Sequence, residues 1–345
     1  MPGGDARAAV ASSTEMSNVE TDPIETRCRA RVESAEPPEA PAVEIVTSRE
    51  VPLGGTRAMR VRRTLPQRAR SLIGAWCFAD RYGPEDVRDV GGMVVPPHPH
   101  TGLQTVSWLF SGEIEHRDSS GVRALVEPGE LNLMTGGHGI CHSEVSTQAT
   151  SVLHGVQLWV ALPEAHRNAD RDFQHHVPGV AHHDGADIRV FLGSLAGMSS
   201  PVRTFTPLVG AEVTLAPESA VELDVDAAFE HGVLVDQGPV TVSGTSIAPA
   251  QLGYVGIGAT CLRLANPSAE PARVVLLGGA PFDEDIVMWW NFVARSHDEI
   301  VRFQHEWQQE SERFGQVDGY VGDPARLPAP PLPKVRLRPR RRAGR

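Results

Sequence analysis

Short runs of alternating apolar and polar residues recur along the middle of the chain, with turn-forming residues about every ten positions. "TVSWLF", "GEIEHRD", "RALVEPGE", "LNLMT" and "GVQLWVALP" form one series, bounded by Gly, Pro, Asp and Ser. Period-two alternation at this spacing predicts antiparallel strands in a sandwich or barrel. A second series follows from about residue 186, with "DIRVFLGS", "AEVTLAP", "AVELDVD", "QLGYVGIG" and "ARVVLLGG". Within it, "HGVLVDQGPVTVSGTSIAPAQLGYV" repeats the strand and turn order of "VSWLFSGEIEHRDSSGVRALVEPGELNLM". Two tandem copies of one small β unit explain a chain of 345 residues, longer than the usual ~100–200 of a single domain. The expected fold class is all-β, with two tandem barrels.

The remaining segments read differently. Residues 1–44 are rich in Ala, Ser, Glu and Pro and offer few large apolar groups, so a disordered tail is expected. The first barrel is placed at 45–165 and the second at 186–280. The connector "HHVPGVAHHDG" holds His175, His176, His182 and His183, and reads as a solvated interdomain loop. A C-terminal helical segment is expected over 281–318. In it "SHDEIVRFQHEWQQESERF" starts with a capping pair, Ser296 and Glu299, and repeats Ile300, Phe303, Trp307 and Phe314 at helical spacing. The preceding "VMWWNFV" places Trp289, Trp290 and Phe292 as an anchor against the body. Residues 319–345 are Pro-rich, then basic, and are expected to be a second disordered tail.

Charge narrows the partners. The last twelve residues, "KVRLRPRRRAGR", carry seven basic groups and no acid, so the rest of a chain of net charge −11 is strongly acidic. An acidic body repels phosphate backbones, and direct nucleic-acid contact is expected only through the basic tail. No run reaches the roughly 18 apolar residues of a membrane span. The first residues lack the basic region and apolar core of a secretory signal, so a cytoplasmic protein is the default. The cysteines, Cys28, Cys77, Cys141 and Cys261, form no CxxC pair and are read as reduced thiols.

The chemistry concentrates in two short segments of the first unit. In "VVPPHPHTG", His98 and His100 stand at i and i+2, which share a face on an extended chain. Pro99 pushes the residue before it out of the helical region, and the missing N–H groups place this segment at a sheet edge or rim. Forty residues on, "GHGICHSEV" contains a second pair of the same kind, His142 and Glu144. If neighbouring strands bring the pairs together, three imidazoles and one carboxylate converge. That set suits a borderline divalent metal such as Fe, Mn, Ni, Cu or Zn, and is too nitrogen-rich for Mg or Ca. A six-coordinate first-row metal would keep one or two positions open. His116 and His138 are read as polar loop groups or groups supporting the ligands. Cys141 points away from His142 by alternation. The second unit has no HxH or HxE pair, so the site belongs to the first.

Together "HPHTGLQTVSWLFSGEIEHRDSSG" and "PGELNLMTGGHGICHSE" resemble the paired motifs of the pirin family in the cupin superfamily, from about Arg49 through "MWWNFV". The resemblance implies two jelly-roll-type cupin barrels facing each other, the N-terminal one holding a single non-haem metal, usually iron. The family's ligand motifs fall on His98, His100, His142 and Glu144. Gln104 departs from the glutamate common at that place; it is read as a hydrogen-bonder behind the ligands.

Two functions follow from the resemblance. Several pirin-like proteins are similar to quercetin 2,3-dioxygenases, which implies a small aromatic flavonol and dioxygen as substrates, with Glu144 accepting the flavonol proton. Other pirins resemble redox-sensing partners of transcription factors or metabolic enzymes. That implies a protein partner that reads the metal's oxidation state.

Overall fold

The computed structural model describes residues 41–53, 59–67, 70–88, 92–183 and 185–338. The disorder expected for residues 1–40 and 339–345 lies outside them. The chain folds into two barrels built alike, each from a seven-stranded and a four-stranded antiparallel sheet. The tandem repeat in the sequence is thus a repeat of architecture.

In the first barrel the seven-stranded sheet has Val152–Ala161 near its middle, between Leu103–Ser111 and Trp76–Asp86. Alternation sorts this strand. Val156 and Leu158 join an apolar cluster that also contains Phe191, Leu208, Leu234 and Leu277 of the second barrel. Gln157 and Trp159, one step out of phase, line a cavity inside the first barrel. The four-stranded sheet closing that cavity runs in the order Val94–His100, Ile140–Ser146, Ile114–Asp118, Arg123–Val126.

The two seven-stranded sheets are tied together by buried polar contacts as well as by the shared cluster. Trp76 Nε1 donates to the carbonyls of Val209 and Gly278 at 3.2 and 3.1 Å, and Trp108 Nε1 to Glu212 Oε2 at 2.7 Å. Asp236 receives Arg81, His154 and Arg273 at 2.7–2.8 Å. Buried tryptophan N–H groups need such partners, and here the partners come from the opposite barrel.

Four segments differ from the sequence expectation. Strand Glu44–Thr47 pairs with Gln251–Val255 of the second barrel, so the 45–165 boundary cuts through a strand of the other unit. Such a long-range pairing leaves no local signal. The connector is not a solvated loop throughout: Asp172–His176 adds to Leu131–Thr135 of the first barrel, and Ala181–His183 to Ala186–Leu192 of the second. Each barrel therefore extends past the limits of 165 and 186.

The third difference is the C-terminal segment. A hairpin, Val287–Trp289 with Phe292–Ala294, precedes the helix α1 (His297–Gln308). Ser296 Oγ accepts from Glu299 N at 3.3 Å, but the Glu299 carboxylate takes the N–H of Arg295 at 2.8 Å, so the capping pair is shifted by one residue. The helix stops at Gln308, short of Phe314, where the backbone turns left-handed at Glu310 (φ +53°); the Arg326 guanidinium donates to the Trp307 carbonyl left at this end at 2.8 Å and lies over the Trp307 ring. Phe314 packs on Trp307 from beyond the helix.

Residues 319–338 are packed along the body rather than disordered. Leu327 and Leu337 are each 2% exposed. Leu327 O accepts from Trp307 Nε1 at 2.8 Å, and Leu337 N donates to His297 Nδ1 at 3.1 Å. A proline-punctuated segment has few N–H groups to satisfy, and those of Leu327, Ala329 and Leu337 find partners on a strand edge and on α1. Among the described residues no helix is long and apolar enough to cross a membrane.

Candidate metal centre

Strand Val94–His100 is the edge of its sheet, as its prolines require. Its one strand partner, Ile140–Ser146, sets His142 opposite His98 and Glu144 opposite Val95. Two steps on that strand therefore face three on Val94–His100, a bulge that falls at Pro96 and Pro97. The bulge has a use: the Pro96 carbonyl lies 2.9 Å from His98 Nδ1 and holds that ring from behind.

The free edge of the strand is closed by the C-terminal segment. Leu327 N donates to Pro97 O at 2.9 Å, and Val293 N to Thr101 O at 3.0 Å. His100 Nδ1, on the side of the ring away from His142, is buried with no hydrogen-bond partner among the described residues. The strand then turns at Gly102, where φ is +68° and a Cβ would come within 2.4 Å of the Val293 carbonyl. Glycine is needed there on both counts.

These contacts bring His98, His100 and His142 together, all buried, with one ligand atom of each lying within 4.8 Å of the others. His100 Nε2 and His142 Nε2 are 3.0 Å apart, and His98 Nε2 is buried with no hydrogen-bond partner among the described residues. Two nitrogens each ~2.1 Å from one ion and at right angles would lie ~3.0 Å apart, so the imidazoles fit a first-row metal. Burial drives the basicity of all three down, His98 to about 4 and His100 and His142 well below the usual 6.5. They are unprotonated at neutral pH, as metal donors must be.

Behind His142 runs a polar chain. Its Nδ1 lies 3.3 Å from His116 Nδ1, and His116 Nε2 lies 3.1 Å from Asp118 Oδ2. If Asp118 accepts from His116 Nε2–H, His116 Nδ1 accepts from His142 Nδ1–H, and His142 Nε2 is left free for a metal. His116 thus stands behind His142, on the side of its ring away from the other two histidines. Asp118 was not anticipated, although "HRD" places it two residues from His116 and so on the same face.

Glu144 is 5% exposed and lines the same cavity but stands outside the three-histidine group. Its Oε1 accepts from Ser107 Oγ at 3.3 Å. Burial raises its proton affinity, opposed by the neighbouring His116 imidazole and the Ser107 hydroxyl. The cavity is small, about 20 Å³, and is walled by Phe78, Tyr82, Met93, Val95 and Trp159 beside the histidines. That is room for an ion and about one water.

Other expected residues lie elsewhere. Gln104 shares the face of Val106 and Trp108, and its Nε2 donates to Thr135 Oγ1 at 3.0 Å. It makes no hydrogen bond to the histidines among the described residues, so the expectation of a bond behind the ligands is corrected by strand phase. His138 binds Ala169 O from a loop. His175 meets Asn132 and His182 meets Asp187, both far from the cluster in sequence and outside the cavity wall. Cys141 Sγ turns to Gly315 O, away from His142 as alternation predicts.

Comparison with known proteins identifies the family. Residues 57–160 match the family model described as Pirin, and residues 210–315 that of the Pirin C-terminal cupin domain. A Pseudomonas aeruginosa protein named "Putative quercetin 2,3-dioxygenase PA1205" is 43% identical over 84% of this chain and 90% of its own length. A pirin-like protein of Caulobacter vibrioides is 34% identical over 75% of this chain and 91% of its own. The crystal structure of a quercetin 2,3-dioxygenase from Acinetobacter baumannii superposes with a TM-score of 0.80 at 36% identity, covering 85% of this chain and 96% of that one. With one family model on each barrel and relatives alike over most of their length, the chain belongs to the pirin family of cupins.

Proposed function

We propose that the chain is a metal-dependent dioxygenase acting on a flavonol-type aromatic substrate, with Fe(II) held by His98, His100, His142 and Glu144. The observation that carries this reading is the convergence of three buried imidazoles on a cavity whose wall includes a carboxylate. The relatives named as quercetin 2,3-dioxygenases support the substrate class. When bound, a divalent first-row ion supplies Lewis acidity and open positions for oxygen donors.

The chain's own residues supply the rest. The Pro96 carbonyl holds His98 in place, and His116 with Asp118 holds His142. Glu144, whose proton affinity is raised by burial, accepts the proton of the flavonol 3-hydroxyl. Phe78, Val95 and Trp159 keep bulk water from the reacting groups. A flavonol is larger than the ~20 Å³ of free space, so its entry displaces wall side chains, Met93 being the most adaptable.

Aerobic incubation of metal-loaded protein with quercetin tests the reading. The expected result is loss of the flavonol absorbance with release of carbon monoxide. Neither change, at full metal occupancy, would contradict it.

A further inference from the structure

Beyond the histidines, the cavity of the first barrel is walled mainly by Phe78, Met93, Val95, Ile114 and Trp159. Gln157 and Glu144 interrupt that apolar wall. Gln157 is half-buried between the buried Val156 and Leu158, and stands directly opposite Ser107 in the seven-stranded sheet. Glu144 reaches Ser107 from the four-stranded sheet. Ser107 Oγ lies 3.0 Å from Gln157 Oε1 and 3.3 Å from Glu144 Oε1, so one hydroxyl joins the two sheets across the barrel. Packing alone does not call for such a row, since apolar side chains fill the same space without the cost of desolvating polar groups.

Proton counting gives the row a direction. A serine hydroxyl carries one proton, and here two oxygens contact it. With Glu144 ionised, as a metal ligand must be, both contacts cannot be hydrogen bonds while the Gln157 carbonyl faces Ser107. A half-turn of the Gln157 amide removes the conflict. Its Nε2 then donates to Ser107 Oγ, and Ser107 gives its one proton to Glu144 Oε1. Among the described residues nothing else claims that nitrogen: Asp80, opposite Gln157 on the other neighbouring strand, gives both oxygens to Arg63 at 2.7 Å. Glu144 Oε2 makes no hydrogen bond among the described residues, so it is the carboxylate oxygen left for a metal.

We propose that Ser107 and Gln157 are positioning residues for Glu144, holding Oε1 against the seven-stranded sheet so that Oε2 joins His98, His100 and His142 at a metal. This rests on the metal reading above. A glutamate free in a cavity loses rotamer entropy when it takes up a ligand position, and a carboxylate already tied through one oxygen has lost most of it beforehand.

The test uses full-length protein with cobalt as the probe metal. Chelator competition gives the cobalt affinity of wild type, Ser107→Ala, Ser107→Thr and Gln157→Met, each with Glu144 present and in a Glu144→Ala background. Ser107→Ala and Gln157→Met should each bind cobalt about 10–100-fold more weakly, and Ser107→Thr, which keeps the hydroxyl, should restore most of the affinity. In the Glu144→Ala background neither change should cost more than about twofold. Unchanged affinity in a folded single variant, or an equal loss without Glu144, would overturn the proposal. Side-chain amide NMR of metal-free protein is the second readout. The signal that disappears in Gln157→Met should move in Ser107→Ala; a signal that stays in place would overturn the row. Glu144→Ala protein that binds cobalt as wild type does would overturn the positioning of Glu144 but not the three-histidine site. Wild type that takes up no cobalt would fail the metal reading, and the amide signal would then decide the row.

Discussion

His142 and His116 touch through their Nδ1 atoms at 3.3 Å, and Asp118 anchors the far side of His116. The contact selects which nitrogen of His142 is left for a metal. Replacing His116 with Phe keeps a ring beside Phe173, whose centroid is 4.9 Å away, but removes the acceptor. Metal affinity should fall about 10–100-fold. The melting temperature of metal-free protein should also fall, because the buried Asp118 Oδ2 loses its partner. Competition with a chelator, read beside calorimetry, separates the two; equal affinities would show that His116 does not orient the ligand.

Leu327 holds the outer edge of the metal strand through one backbone bond to Pro97. Leu327→Pro deletes that N–H, whereas Leu327→Ala keeps it and loses only packing. One net hydrogen bond is worth about 0.5–1.5 kcal/mol, so the proline variant should release metal roughly 2–10-fold faster than the alanine variant. Identical release rates under excess chelator would mean that the edge contact does not position His98.

Much of this centre was legible in the sequence. Period-two alternation paired His98 with His100, and the prolines marked the edge strand. What escaped had physical reasons. The bulge between His142 and Glu144 sets a register that no local pattern encodes. Gln104 lies one step out of phase with Ser107 and so faces the other barrel, a difference that depends on the turn at Gly102. The segment from 319 to 338 reads as disordered by composition. Its order comes from a few backbone bonds and two buried leucines, which composition does not weigh.

Arg63 and Asp80 form a two-bonded ion pair, 2.7 Å at each contact and 1% and 0% exposed. Burial pushes the Asp80 carboxyl up, and Arg63 pulls it back. Asp80→Asn alone leaves a buried guanidinium without its counter-charge and should cost about 3–5 kcal/mol. The double variant Arg63→Met with Asp80→Leu should recover most of that loss. Denaturant unfolding of the three proteins checks it; a double variant as unstable as the single one would contradict the argument.

His231, inside the second barrel, is fully buried, and neither ring nitrogen has a partner among the described residues. Burial lowers its pKa from 6.5 to about 4, with Asp226 opposing. The unfolded chain therefore takes up the proton first. Stability falls as pH drops from 6.5 to 4, by on the order of 3 kcal/mol over the window. His231→Leu removes this term. The variant should gain on wild type steadily across that window in matched unfolding curves; a constant difference between pH 7 and pH 4 would show that His231 does not titrate this way.

The central claim is that His98, His100 and His142 hold a metal ion. Its most direct test is elemental analysis of protein purified without an affinity metal column, wild type beside His142→Ala. Close to one first-row metal ion per chain is predicted in the wild type, with most of it lost in the variant. Undiminished metal in folded His142→Ala would contradict the account.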